Sequence, residues 1–141
     1  MKTKFEFIIY VKDQQRSCGF YEKVLDKKAS LNVPGMTEFI LSDECKLGIM
    51  PEKGIAKIIS PAVEDPSLSS GKSRCEIYLY VDDPDQSLKT ALSAGAKAVS
   101  NCENRDCGDR AGYFADPDGH IVVFAKKTEK TPSTRPNINN I

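Results

Sequence analysis

Glu6 and Glu76 stand seventy positions apart, each near the head of the same kind of segment. Alternate positions after the first carry Ile8 and Tyr10, and after the second Tyr78 and Tyr80. Side chains of a β-strand alternate between faces, so in each stretch a carboxylate shares one face with aliphatic or aromatic groups. Aromatic rings beside an acid can hold an organic cation, at about 0.5–2 kcal/mol per ring. A carboxylate of raised pKa can instead take a proton from a carbon next to a carbonyl, with a tyrosine hydroxyl donating to the oxyanion. Such residues also occur on an ordinary half-exposed strand.

Other reactive residues form weaker patterns. Cys107 lies in "RDCGDR" between Arg105 and Arg110, whose charges would favour a thiolate. Cys102 precedes it at a spacing used by neither zinc nor redox motifs. Five cysteines without a CxxC pair suit free thiols in a reducing cytosol. His120 is the only histidine. "GKS" at 71–73 lacks the spacing of a phosphate-cradling loop.

The elements that would position these groups come in duplicate. Shifted by seventy residues, "FEFIIYVKDQQRS" (5–17) lies over "CEIYLYVDDPDQS" (75–87). Glu6, Tyr10, Val11, Asp13, Ser17, Lys27 and Ser30 match Glu76, Tyr80, Val81, Asp83, Ser87, Lys97 and Ser100. Residues 5, 7, 9 and 11 and residues 75, 77, 79 and 81 form apolar faces expected to pack on a helix. Asp13 and Asp83 are placed as helix N-caps, with Pro84 suited to a first helical position and Gly95 to a C-terminal cap. The pattern predicts helices over 14–25 and 85–94. Strands are predicted at 28–33, 37–42 and 45–50, and again at 97–101, 110–115 and 120–126. Module 1 then covers about 5–50 and module 2 about 75–127. Residues 51–74 join them, with a short helical turn at "GIAKII" and a mobile loop at "EDPSLSSGKS". The tail 128–141 reads as disordered or as a surface arm.

A chain of 141 residues fits one domain that buries roughly 68–70% of its unfolded surface. Its 20 basic and 20 acidic residues balance, which gives no electrostatic footprint for nucleic acid or an anionic membrane. No apolar run reaches the length of a membrane span. "MKTKFEFIIYV" enters a strand without a small-residue cleavage site, so a cytoplasmic location is expected.

Two strand–helix–three-strand modules, "FYEKVLD" in the first helix and "GDRAGYFADPDGHIVVFA" at the end together resemble the vicinal-oxygen-chelate superfamily. It includes glyoxalase I, extradiol dioxygenases, and bleomycin- and fosfomycin-resistance proteins. The resemblance covers about residues 5–127 and implies an α+β fold: paired βαβββ modules whose sheets curl around a cup, often as a homodimer. It also implies that Glu6 and Glu76 occupy first-strand metal-ligand positions. The corresponding last-strand positions hold Val123 and a residue near Gly48, with Met50 the next candidate facing the cup. Valine and glycine offer no donor side chain, so no bound catalytic metal and no other cofactor are expected.

The expected role is binding of a small organic ligand, lined by Glu6, Ile8, Tyr10, Met50, Glu76, Tyr78, Tyr80 and Val123. The alternative is a divergent glyoxalase-like lyase or isomerase using Glu6 or Glu76 as a base. Bleomycin sequestration usually accompanies a strongly acidic groove, which this neutral chain does not indicate.

Overall fold

Both helix starts are fixed by aspartates. Asp13 accepts from the Arg16 N–H at 3.0 Å, and Asp83 from the Gln86 N–H at 3.1 Å. The computed structural model describes residues 4–69 and 72–128. Its first half runs β1 (Phe5–Val11), α1 (Gln14–Leu25), β2 (Leu31–Val33), β3 (Met36–Ser42), β4 (Cys45–Pro51) and α2 (Glu52–Ile59). The second runs β5 (Glu76–Tyr80), α3 (Pro84–Ser93), β6 (Lys97–Asn104), β7 (Asp109–Ala115) and β8 (Ile121–Lys127). The strands form two four-stranded mixed sheets of matching order, β1-β4-β3-β2 and β5-β8-β7-β6. In each, the first strand pairs in parallel with the last and the remaining pairs are antiparallel. The duplicated α+β architecture expected from the repeat is therefore present.

The chain divides into two compact units. Unit 1 holds the described residues through Arg74 together with Pro117–His120; unit 2 holds Cys75–Asp116 and the described residues from Ile121. In unit 1, Ile9, Val11, Phe20, Tyr21, Phe39, Leu47 and Ile49 form the core. The Tyr21 ring meets Phe20 edge-on at 5.0 Å. In unit 2, Leu88, Ala91, Phe114, Val122 and Phe124 pack on the α3 side of the sheet.

Several elements depart from the sequence reading. β2 begins at Leu31 rather than residue 28, because the amides of Lys27 and Ala29 serve the helix end. Asp26 adopts φ 51°, Lys27 N–H donates to the Glu22 carbonyl, and Ala29 N–H donates to the Glu22 carboxylate. "GIAKII" lies in an eight-residue helix, with Ile55 buried and α2 packing on β4 and β1. Pro66–Ser69 forms a 3-10 turn in which the Asp65 carboxylate caps the Ser67 N–H at 2.9 Å. Phe5 and Phe7 do not join Ile9 and Val11 in the core; they are 58% and 37% exposed, so the buried face of β1 is confined to its C-terminal half. Residues 70–71 of the expected loop and 129–141 of the tail lie outside the described residues.

The "DPDG" turn packs with unit 1. Asp118 accepts from the Lys12 N–H at 2.9 Å and the Ser17 hydroxyl at 3.4 Å, and its side chain is only 8% exposed. Arg16 lies 3.5 Å from it. His120 Nε2 is 2.9 Å from the Tyr10 carbonyl, and the Ser73 hydroxyl donates to the Gly119 carbonyl at 2.8 Å. Asp118→Ala is expected to cost about 1–2 kcal/mol by leaving the Lys12 N–H and Ser17 hydroxyl without their acceptor, read as a lower urea midpoint at unchanged slope.

Candidate functional site

The pairing of β1 with β4 and β4 with β3 decides which side chains share a face. Glu6 pairs with Lys46, Ile8 with Gly48 and Tyr10 with Met50, while Glu38 pairs with Gly48. Partners in register share a face, so Glu6, Ile8, Tyr10, Glu38, Lys46, Gly48 and Met50 stand on one side of the sheet, opposite α1. Glu6 bends over Gly48: a Cβ there would lie 2.9 Å from Ile8 Cγ1 and 3.2 Å from Glu6 Cδ. Glycine is thus the residue that lets the carboxyl lie flat on the strand.

Burial pushes the Glu6 carboxyl above its ordinary value. A hydrogen bond to Glu38 and the negative charge of Glu38 push it further, against a smaller opposing pull from Lys46. Lys46 Nζ lies 3.3 Å from Glu38 Oε1. Glu6 Oε2 is buried without a hydrogen-bond partner. Glu6 and Lys46 line a groove of about 510 Å³ at this end of the sheet, together with Lys4, Phe5, Ile40 and Cys45.

A group whose pKa is raised by folding stabilises the fold at low pH and loses that contribution as pH rises through its folded-state value. Relative to Glu6→Gln, the wild-type chain should therefore lose stability as pH climbs from 4.5 towards 7. The glutamine variant should show the flatter profile in thermal melts across that range.

On the corresponding face of unit 2, Glu76, Tyr78 and Tyr80 pair with Ile121, Val123 and Ala125 of β8. Tyr113 and Ala111 of β7 lie in register beyond Val123 and Ala125, and Asp109 beyond Lys127. Ala125 and Ala111 are small enough for both phenols to reach across the sheet. Tyr78 and Tyr80 donate to Asp109 Oδ2 at 2.7 and 3.2 Å, and Asp109 is 5% exposed. Burial and then this hydrogen bond push the Tyr78 phenol far above its ordinary range. Val123 has no exposed surface; with Ala111 and Ala125 it lies under Tyr78, Tyr113 and Ile121, so a ligand on this face meets tyrosine rather than Val123. Glu76 is exposed on β5.

The thiol route loses its electrostatic support. Arg110 makes a two-pronged pair with Asp85, both bonds 2.8 Å. Arg105 binds the Ala111 and Asn101 carbonyls, pairs with Glu103 at 3.1 Å and stacks 5.3 Å over Tyr113. Cys107 is exposed, while burial raises the Cys102 thiol.

Glu38, Asp109 and Lys127 were not among the sequence candidates. Glu38 was legible in principle, since "TEFIL" alternates and its register to Gly48 sets the glutamate on the Glu6 face. Asp109 reads from sequence as the end of a turn, one residue before the predicted strand.

A metal of the resembled kind does not fit these residues. Gly48 offers no donor and lies under Glu6, Val123 is buried among alanines and tyrosines, and no cluster of three or more His, Cys, Asp or Glu side chains able to hold a metal occurs among the described residues. No helix of the described residues is long and apolar enough to cross a membrane.

Comparison with known proteins agrees with this architecture. The chain is 30% identical over 115 residues to an uncharacterized protein of Mycobacterium bovis, covering 79% of this chain and 75% of that one. A Mycobacterium tuberculosis H37Rv protein, also uncharacterized, matches at 30% with 67% of its length covered. A glyoxalase-related enzyme from Fulvimarina pelagi superposes with a TM-score of 0.77 at 17% identity, covering 90% of this chain and 89% of its own. A glyoxalase/bleomycin resistance protein/dioxygenase family enzyme from Burkholderia phytofirmans PsJN gives 0.76 at 14%, over 89% and 99%. The family model of the Glyoxalase/Bleomycin resistance protein/Dioxygenase superfamily matches residues 5–124, and the chain belongs to that superfamily.

Proposed function

We propose that this superfamily member binds a small organic ligand, without a catalytic metal, on the sheet face that carries Glu6. The observation that carries the proposal is the Glu6 carboxyl: burial and the neighbouring Glu38 raise it above its ordinary value, and it lines a groove of about 510 Å³. Phe5 and Ile40 supply apolar contact in the groove, while Ile8, Tyr10 and Met50 continue the same face beyond it. A ligand bearing a basic or hydrogen-bond-donating group suits this setting, because it would bond to the carboxyl. Isothermal titration with a panel of amines, drugs and acids tests this. Binding that falls at least tenfold in Glu6→Gln is the expected result, and hits unaffected by that change would sink the proposal.

A second reading draws on the raised pKa of Glu6, which suits a general base. The reaction class would be proton abstraction beside a carbonyl, as in a divergent glyoxalase-like lyase or isomerase. The Tyr78 and Tyr80 hydroxyls are engaged by Asp109. Turnover of the methylglyoxal hemithioacetal, assayed with and without Ni, Zn and Mn, separates this reading from binding alone. Exposed Phe5, Ile8, Leu31, Val33 and Ile40 in unit 1 support the further expectation of a homodimer, which sedimentation equilibrium would test.

A further inference from the structure

Unit 2 carries a seat for an ammonium group, and the chain fills it with its own lysine. The Lys127 ammonium lies 5.2 Å over the Tyr80 ring and 4.0 Å from Asp109 Oδ1. The seat is built, with each part fixed by another. Asp109 is buried, and its other oxygen takes both tyrosine hydroxyls. The Tyr80 ring rests against Tyr78 with centroids 5.4 Å apart and planes at 65°. Tyr80 is 58% exposed, so its ring can be reached from solvent.

The occupant, by contrast, is held loosely. A separation of 4.0 Å is at the outer limit of an ion pair and beyond a hydrogen bond. The Lys127 side chain is 79% exposed and rides on a flexible four-carbon stem. A buried carboxylate beside a π-face is the pairing that recognises a compact organic cation.

We propose that this face binds a primary alkylammonium ligand between Asp109 and Tyr80, and that Lys127 is a tethered competitor which the ligand displaces. The ligand ammonium donates to Asp109 Oδ1 and lies against Tyr80, while its alkyl part covers the ring edge. Lys127 turns out to solvent. No bond is made or broken covalently. The site lies wholly within unit 2 and does not depend on the Glu6 reading.

Two consequences separate this from a merely structural lysine. Removing the competitor must tighten binding, because apparent affinity is reduced by the fraction of time the seat is closed. Removing the ligand's charge must abolish binding. The full chain would be titrated with n-butylammonium chloride at constant ionic strength, following the tyrosine ring signals by NMR, with n-butanol as the uncharged control. The expected result is a saturable shift of the Tyr78 and Tyr80 signals, about fivefold tighter in Lys127→Met than in the wild type, corresponding to a seat closed about four-fifths of the time. Binding detectable only in Lys127→Met supports the proposal as well. Equal or weaker binding in Lys127→Met, no binding by either chain, or equal shifts with n-butanol overturns it. Only the Tyr78 and Tyr80 signals report on this site, so its outcome and that of the groove in unit 1 are read separately.

Discussion

Asp109→Ala is expected to lower stability by about 3 kcal/mol, since hydrogen bonds to a charged group contribute about 1.5–3 kcal/mol each and this carboxylate accepts two. The shorter, from Tyr78 at 2.7 Å, would leave a part-buried phenol without its acceptor; the longer, from the exposed Tyr80, counts for less. Asp109→Asn keeps an acceptor oxygen and should cost about half as much. Urea unfolding monitored by circular dichroism gives both values. A loss below about 1 kcal/mol in the alanine variant would show that the two phenols find water as good a partner. A pH signature accompanies the change. The Tyr78 phenol is raised by folding, so the stability it contributes is complete below its ordinary value of 10.0 and declines as pH rises beyond it. Without Asp109 that alkaline decline should be shallower, because one of the causes of the raised value has gone.

Gly48→Val should cost about 1–2 kcal/mol, below most core overpacking because the displaced Glu6 end can move to solvent. The sign is the informative part. In an ordinary strand, exchanging glycine for a β-branched residue is favourable, since glycine forfeits roughly 0.5–1 kcal/mol of backbone entropy. Here even the Cβ lies 2.9 Å from Ile8 Cγ1 and 3.2 Å from Glu6 Cδ, and the valine methyls would extend further. Relief requires Glu6 to leave the strand surface for solvent. Its carboxyl would then separate from Glu38 and titrate near the ordinary glutamate value, detectable by side-chain carboxyl NMR. A variant as stable as the wild type, with Glu6 titrating unchanged, would mean that Glu6 does not rest on Gly48.

The fold was legible because its signals are local and repeated. Asp13 and Asp83 each sit where a cap is needed, and the strand parity that sets Glu6 with Ile8 and Tyr10 needs only the two-residue alternation. The partners were harder to find. Glu38 meets Glu6 through a strand lying between them, and Asp109 meets Tyr78 across another, so each depends on a register that no short stretch of sequence contains. Phe5 and Phe7 were misplaced for a different reason. Alternation tells which face a residue takes, whereas burial also depends on how far along the strand a helix reaches.

The placement of Asp118 has a consequence for how the chain acquires its structure. Its acceptors serve the Lys12 amide and the Ser17 hydroxyl, at sequence separations of 106 and 101 residues. On the ribosome, a nascent chain ending after β4 or α2 therefore has every strand of its first sheet but not the group that closes the start of α1. Contacts at such separation carry a large loop-closure entropy and form late. Unit 1 is complete only after most of unit 2 has been synthesised, so the two halves, alike in pattern, are not equivalent in the order of their folding. The first copy of the repeat waits for four residues that arrive with the second.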